Sequence, residues 1–252
     1  MKTESFRKRM LAGERLVGTF LRTPAPELVE ILAATGLDFI CLDAEHAPFD
    51  RARMDACLAV ARAQDFPALV RVATGTPEYI MQALDAGAVG VVVPHVMDAG
   101  QAVAIARAAR FGHGGRGYNG GTRWGGYGAL DMAGMLDRAA RETLVIAQIE
   151  EPEGVEAAAD IAAVEGIDAL FIGPADLSIA YGKRNMDSTE LKRAFETVGR
   201  DARAHGKAFV TYAPSAEKAA QWASAGVSVF VVQSEQNWVA QGARAVVEGF
   251  ER

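Results

Sequence analysis

The chain has 252 residues, of which 50% are hydrophobic, and carries a formal net charge of −6. Proteins that bind nucleic acid or anionic membranes usually present a basic face, so this acidic balance argues against both kinds of partner. Two cysteines are too few for a disulfide scaffold. The amino-terminal segment is charged throughout and lacks the apolar stretch of a signal peptide. We therefore expect a soluble, cytoplasmic protein consisting of a single domain, 1–252.

Eight apolar segments are candidate strands, and amphipathic helical segments such as PAPELVEILAA separate them. In chain order the strands lie in LVGTFL (16–21), LAATGLDFICLD (32–43), PALVRV (67–72), LDAGAVGVVVPHV (84–96), TLVIAQIE (143–150), AVEGIDALFIGPAD (163–176), KAFVTYA (207–213) and WASAGVSVFVVQS (222–234). Continuous apolar strands that alternate with helices indicate a parallel sheet covered by helices. Eight such units in a chain close to the roughly 250 residues of a typical barrel favour a (β/α)8 TIM barrel. A Rossmann sheet is less favoured because no G-x-G-x-x-G follows the first strand.

Four of these segments share a pattern in which a helix end and a glycine precede the strand. The glycines are Gly36, Gly87, Gly166 and Gly226. Each fits the position just after a helix, where a left-handed backbone costs glycine nothing. One further segment, FGHGGRGYNGGTRWGGYG (111–128), is too rich in glycine for a regular element and long enough for a functional loop.

Ionisable residues follow several of the predicted strands directly. Glu150 and Asp176 come after the fifth and sixth strands, which are neighbours in a barrel, so their carboxylates can converge. Two hard oxygen ligands suit Mg²⁺ or Mn²⁺ better than zinc. The alternatives are that Asp176 caps a helix beginning at Leu177 and that Glu150 is a surface residue.

Two more strand ends offer acid/base and cationic groups. Asp43 and His46 are close enough along the chain for the carboxylate to orient the imidazole as a general base. His46 could instead be an ordinary exposed loop residue. Arg71 interrupts the apolar run PALVRV, and because an unpaired buried arginine is costly, we expect its side chain to face inward towards an anion rather than outward to solvent. The remaining histidines are expected to be ordinary loop or helix residues: His95, His113 and His205.

Two absences limit the chemistry. The seventh and eighth strands end in TYAPSAEK and VQSEQNW, without a glycine-rich phosphate cradle, so a phosphorylated substrate is disfavoured. No lysine ends a predicted strand, so an aldolase that forms a Schiff base would lack its nucleophile.

The motifs LDAEHAPFD, LVRV, GAVGVVVPHV, AQIEEPEGVE and FIGPADLS resemble those of the HpcH/HpaI family of metal-dependent pyruvate aldolases. The resemblance implies a (β/α)8 barrel that assembles as a homo-oligomer, a hexamer or a trimer, with a last helix at about 236–251 that can be exchanged between partners. It also implies a divalent cation, Mg²⁺, Mn²⁺ or Co²⁺.

The resemblance further implies residue roles. Glu150 and Asp176 would hold the metal, His46 with Asp43 would form the acid/base dyad, and Arg71 would bind the keto oxygen. The other implied site residues are Gln148 beside the metal, the backbone of Gly173, Pro174 and Ala175 at the substrate carboxylate, and Asp85. In relatives an aspartate like Asp85 reaches a neighbouring subunit's site, although here it could simply end a helix.

The chain departs from the family pattern in 111–128, where Tyr118, Trp124 and Tyr127 are added. These aromatic residues could close over an aldehyde together with Arg123, or the loop could lie in a subunit interface. Thr122 and Arg123 in this loop, and Tyr212 at the end of the seventh strand, are expected to contact substrate.

The implied activity is reversible cleavage of a 4-hydroxy-2-oxo acid to pyruvate, or a related 2-oxo acid, and an aldehyde. One alternative is a Claisen-type enzyme of the same fold that uses an acyl-CoA or forms citrate. The other is a noncatalytic protein that binds oxo acids.

Overall fold

Eight parallel strands form a closed barrel in a computed structural model that describes residues 1–250. Each strand pairs with its neighbours in chain order, and β8 closes on β1. The strands are β1 (Leu16–Leu21), β2 (Phe39–Asp43), β3 (Ala68–Arg71), β4 (Gly90–Val93), β5 (Leu144–Ile149), β6 (Ala169–Ile172), β7 (Ala208–Ala213) and β8 (Val229–Ser234). The predicted (β/α)8 barrel is confirmed, and every observed strand lies within a predicted segment.

The helices of the described residues surround this barrel. They are α1 (Lys2–Leu11), α2 (Pro26–Ala33), α3 (Arg51–Ala63), α4 (Pro77–Asp85), α5 (Ala99–Ala109), α6 (Met132–Glu142), α7 (Pro152–Glu156), α8 (Ala158–Ala163), α9 (Pro174–Ala180), α10 (Thr189–Ala204), α11 (Ala216–Ala223) and α12 (Glu235–Gly249). None of these helices has the length and apolar character needed to cross a membrane.

Side chains from the strands fill the barrel interior, and α1 closes its amino-terminal end. Phe6 of α1 is fully buried and packs on Phe39 of β2, with ring centroids 5.3 Å apart. Arg7 of the same helix donates two hydrogen bonds to the buried carboxylate of Asp168. Arg110 donates to the other oxygen of Asp168. The lower end of the barrel is therefore sealed, and the open end lies at the carboxyl ends of the strands.

Glycine sets the chain direction between helix and strand as the sequence predicts. Gly36, Gly87, Gly166 and Gly226 all have positive φ, between 90° and 108°. A side chain in this left-handed region would be strained, so glycine allows the chain to turn sharply from a helix end towards the next strand.

Candidate active site

A cavity of about 180 Å³ opens at the carboxyl ends of the strands. Nine of the residues predicted as site residues line it: Asp43, His46, Arg71, Gln148, Gly173, Pro174, Ala175, Asp176 and Tyr212. Parallel barrels place their active sites at this end because the strand-to-helix loops converge there. The cavity is therefore the candidate active site.

Arg71 points into the barrel mouth between two carboxylates. Its Nε and Nη2 atoms lie 3.1 and 2.8 Å from Asp43 Oδ1, and its Nη1 lies 3.2 Å from Glu45 Oε2. The guanidinium also covers the Phe20 ring at 4.5 Å from the centroid. β2 and β3 pair with Asp43 opposite Arg71, so sheet register brings the two charges together. The outward-facing alternative for Arg71 is wrong.

The Asp43 carboxylate is not hydrogen-bonded to the His46 imidazole, contrary to the prediction that it orients this ring. Asp43 Oδ1 instead accepts the backbone N–H of His46 at 3.1 Å. The imidazole is 55% exposed at the rim, and its Nε2 lies 3.8 Å from Glu45 Oε2. Asp43 therefore fixes the loop that carries His46 and leaves the ring itself unbound.

Glu150 is 3% exposed and lies next to Gln148 and Gly173, which line the cavity. Its Oε2 accepts a 2.6 Å hydrogen bond from Gln148 Nε2, and its Oε1 accepts the backbone N–H of His95 at 3.2 Å. Burial is the main cause that raises the pKa of Glu150 to about 7; the Gln148 hydrogen bond and the charge of His95 lower this pKa, and the negative charges of Glu45 and Asp176 raise it. The alternative that Glu150 is a surface residue is wrong.

Two functional candidates, Glu45 and His95, were not predicted from the sequence. One ligand atom each from Glu45, His95 and Glu150 lie within 4.8 Å of one another. His95 Nδ1 bonds Glu151 at 2.5 Å, and its Nε2 lies 3.5 Å from Glu45 Oε1. His95 follows β4 just as Glu150 follows β5, so the same strand-end signal could have found it. The prediction that His95 is an ordinary loop histidine does not account for its contacts with these carboxylates.

Burial alone would lower the pKa of His95. The hydrogen bond to Glu151 and the charges of Glu150, Glu151 and Glu45 outweigh burial and raise that pKa above its usual value. The carboxylates at the ends of β2 and β5 therefore raise the pKa of His95, whereas burial is the main cause of the shift at Glu150.

Asp176 lies in the first turn of α9 and is exposed at the cavity. The helix begins at Pro174, so Gly173 is the N-cap residue and Asp176 is not, which disfavours the capping alternative. A Cβ built on Gly173 would lie 2.6 Å from Glu150 Oε2. Glycine at this position therefore lets the backbone after β6 approach the carboxylate that follows β5.

Three predicted site residues lie outside the cavity within this chain. Asp85 ends α4 and accepts hydrogen bonds from Arg116 at 3.0 and 2.5 Å. Thr122 and Arg123 line a separate surface depression together with Asp85, and Arg123 pairs with Asp55 at 2.7 Å. The residues of 111–128 connect α5 to α6 on the outside of the barrel, so they cannot close over the cavity of their own chain.

The donor set of the site suits a hard divalent cation. Glu45 and Glu150 supply clustered carboxylate oxygens and His95 an imidazole nitrogen, and the exposed Asp176 lines the adjoining cavity outside this cluster. Such donors bind Mg²⁺, Mn²⁺ or Co²⁺. Buried oxygens of Asp43, Glu45 and Gln148 accept no hydrogen bond among the described residues. Buried acceptors without partners are costly, and a cation would relieve the excess negative charge. The residues present therefore fit a metal ion.

Comparison with known proteins places the chain among enzymes of one family. A family model described as HpcH/HpaI aldolase/citrate lyase matches residues 16–249. A hydroxypyruvate/pyruvate aldolase of Delftia acidovorans is 38% identical over 248 residues, which cover 95% of this chain and 90% of that protein. The match confirms the resemblance that the motifs predict.

Solved structures agree with this assignment. A crystal structure of an HpcH/HpaI aldolase/citrate lyase family protein from Burkholderia cenocepacia has a TM-score of 0.91 and 30% identity, covering 98% of this chain and 99% of that chain. The citrate synthase SbnG has a TM-score of 0.86 and 28% identity, covering 98% of this chain and 97% of that chain.

Because the backbone at Gly173 lies close to Glu150, adding one methyl group at this position should destabilise the protein. Gly173→Ala should lower the free energy of unfolding by about 1–3 kcal/mol, because the new Cβ meets a Glu150 carboxylate held by Gln148. Gly242→Ala is the matched control, since nothing lies within 4 Å of a Cβ there and the residue is inside α12. It should be neutral or stabilise by about 0.5–1 kcal/mol. Urea unfolding followed by circular dichroism measures both, and equal stabilities would contradict the prediction.

Proposed function

The chain belongs to the HpcH/HpaI aldolase/citrate lyase family and is an aldolase, and we propose that it reversibly cleaves a 4-hydroxy-2-oxo acid to pyruvate, or a related 2-oxo acid, and an aldehyde. The observation that carries the proposal is the group of carboxylates after β2, β5 and β6 beside the inward-facing Arg71. A 2-oxo acid offers a carboxylate and a keto oxygen, and positively charged groups in the site would stabilise the negative charge on these oxygens. The small mouth suits such a compact substrate.

Glu150 and Asp176 are the proposed metal ligands, and Glu45 and His95 are near enough to Glu150 to complete the set. When bound, a divalent ion supplies Lewis-acid stabilisation of the negative charge that develops on the keto oxygen. Gln148 supports this arrangement because its amide holds Glu150 Oε2. No lysine lines the cavity in the part of the chain that the structure describes, which agrees with a mechanism without a Schiff base.

Arg71 is the proposed donor to the keto oxygen. Its two ion pairs and its packing on Phe20 hold the guanidinium in one orientation beside the cavity. Its remaining N–H groups are therefore positioned in advance to donate to a substrate. The substrate carboxylate would lie along the backbone of Gly173, Pro174 and Ala175, which forms the opposite wall.

His46 is the proposed acid/base, acting through a water molecule. Its ring is exposed at the rim, where it can take a proton from the methyl group of pyruvate and return it in the cleavage direction. Asp43 assists by binding the backbone of His46 and the guanidinium of Arg71 at the same time, so one carboxylate sets the distance between the two.

We also propose a homo-oligomer, a hexamer or a trimer, in which Asp85, Thr122 and Arg123 contact a neighbouring subunit's site. This assignment explains why the surface that they form lies outside the barrel of their own chain. The exposed apolar side chains of α12, Val239, Val246 and Val247, support exchange or packing of this helix between partners.

The two cysteines are free and buried, which agrees with the proposed cytoplasmic location.

Pyruvate release tests the proposed function. With Mg²⁺, Mn²⁺ or Co²⁺, the protein should release pyruvate from members of a panel of 4-hydroxy-2-oxo acids in a lactate-dehydrogenase-coupled assay, and EDTA should abolish the release because the proposed ligands are needed for the metal. Borohydride reduction with pyruvate should leave the protein unlabelled. Full activity in EDTA or a lysine adduct would overturn the metal mechanism. Formation of citrate from oxaloacetate and acetyl-CoA would favour the Claisen-type alternative, and pyruvate binding without turnover would favour a binding protein.

Metal affinity should depend on pH through Glu150. Because the pKa of Glu150 is raised to about 7, its carboxyl is protonated below that pH and must lose a proton to bind metal. The affinity for Mn²⁺, measured by electron paramagnetic resonance without substrate, should therefore rise by up to about tenfold per pH unit below pH about 7 and level off above it. Glu150→Gln should weaken this dependence and leave the part that is due to His95, whose pKa is also raised, whereas His95→Gln should leave the part that is due to Glu150. An affinity that is constant between about pH 6 and about pH 8 would contradict the assignment.

Exchange of the methyl protons of pyruvate tests Arg71 and His46 before any aldehyde binds. Arg71→Lys keeps the charge but loses the planar fork, so exchange should fall by about 10²-fold. His46→Ala should lower exchange by about 10²-fold or more while metal binding persists. Arg200→Lys is the control, because its guanidinium is 70% exposed on α10. Exchange at the unaltered rate in either site variant would return that residue to a structural role.

A further inference from the structure

Arg22 is a second arginine at the barrel mouth, and no role for it follows from the motifs. It comes directly after β1, and its side chain lines the cavity. In a closed barrel of eight strands, β1 and β5 are four strands apart in both directions, so they lie on opposite sides of the mouth. Arg22 therefore faces the wall formed after β5 and β6, which carries Gln148 and Asp176.

The backbone at Arg22 is held in place by a buried carboxylate. Glu235, at the start of α12, is 3% exposed and accepts the N–H groups of Arg22 and Thr23 at 2.6 to 3.1 Å. A buried carboxylate that accepts backbone hydrogen bonds is a stable anchor, because these bonds compensate for the loss of water around its charge. The position of Arg22 at the rim is thus fixed by the fold.

The guanidinium of Arg22 has little to bind within the protein. Its one side-chain hydrogen bond runs from Nη2 to the carbonyl of His46 at 3.3 Å. Its buried Nε–H donates no hydrogen bond to the described residues, although Nε lies 3.4 Å from Asp43 Oδ2. The negative charge of Asp43 is already shared with Arg71 at 2.8 Å. Among the described residues, Arg22 therefore keeps most of its donors for a ligand.

Asp43 is a charged neighbour of Arg22 in the cavity, but the cavity residues that come from β7, β8 and α12 are uncharged. Tyr212, Gln233 and Asn237 line the cavity beside it, and all three are uncharged hydrogen-bonding residues. The side chain of Arg22 is 40% exposed, so an anion can reach it from the mouth. An accessible arginine with unused donors next to polar neutral groups matches the planar, bidentate geometry of a carboxylate.

We infer that Arg22 determines specificity by binding a carboxylate at the far end of the substrate, and thereby selects aldehydes that carry a negative charge. This inference rests on the proposed function, in which the 2-oxo acid end lies at β5 and β6. The aldehyde end of the same molecule then extends across the mouth towards β1, where Arg22 lies. Arg71 acts at the keto oxygen, and Arg22 acts at the other end.

Aldol addition of pyruvate to two matched aldehydes tests the inference. The probes are 4-oxobutanoate and its neutral methyl ester, since the carboxylate in 4-oxobutanoate is too distant from the aldehyde carbon to imitate a 2-oxo acid. The ratio of kcat/KM for the acid to that for the ester should exceed one in the unaltered protein. Arg22→Gln should lower this ratio by about ten- to a hundredfold, as expected for loss of a hydrogen-bonded charge pair. Arg22→Lys should restore part of the ratio, because it keeps the charge without the fork.

Controls separate this role from a purely structural one. Arg141→Gln makes the same change in net charge at an exposed position in the last turn of α6, and it should leave the ratio unaltered. If Arg22 only positioned Asp43, Arg22→Gln would slow the reactions of both aldehydes equally and the ratio would stay constant, which would overturn the inference. Absence of pyruvate proton exchange in the unaltered protein would refute the proposed function itself. Exchange and aldol addition without preference for the acid would refute only the role of Arg22.

Discussion

The ion pair between Asp43 and Arg71 is the interaction on which the mouth of the barrel depends. It joins the ends of β2 and β3, and the same carboxylate holds the backbone of His46. Arg71 also forms an ion pair with Glu45 and packs on the ring of Phe20, so both charge pairing and packing hold this one side chain in place. Removing one member of such a buried pair leaves the other charge without compensation, which is why neither residue can change alone without disturbing the site.

Charge is distributed unevenly around the mouth. Carboxylates crowd the ends of β5 and β6, and burial together with their mutual repulsion raises the pKa of Glu150 to about 7. At the ends of β1 and β3, two arginines, Arg22 and Arg71, balance the carboxylates of Asp43 and Glu45 that follow β2. A substrate with unlike ends would therefore bind in one direction only, because each of its ends meets a different electrostatic environment. In the proposed reaction this asymmetry fixes which carbon faces the metal ligands and which faces Arg22.

The glycine-rich segment 111–128 has its own small core outside the barrel. Trp124 is 1% exposed and packs with Met135 and Ala139 of α6, and Arg116 binds Asp85 beneath it. Glycine allows the close turns of this segment, while the buried tryptophan and the ion pair give it a defined shape. A shaped surface of this kind, remote from its own cavity, is suited to contact another subunit, and this agrees with the proposed assembly.

The sequence by itself determined the architecture, because the apolar runs of the strands and the glycines that follow four of the helices are local features of the chain. β1 begins and ends at the residues that the sequence predicts, and Glu150, Asp176 and Arg71 were predicted at strand ends because ionisable residues there are conspicuous. Only the tertiary structure decided which groups meet. Arg22 is anchored by Glu235, 213 residues away, through closure of β8 on β1, and His95 meets Glu150 through pairing of β4 with β5. Such contacts depend on the directions of the loops and on side-chain rotamers, which a local sequence pattern does not determine.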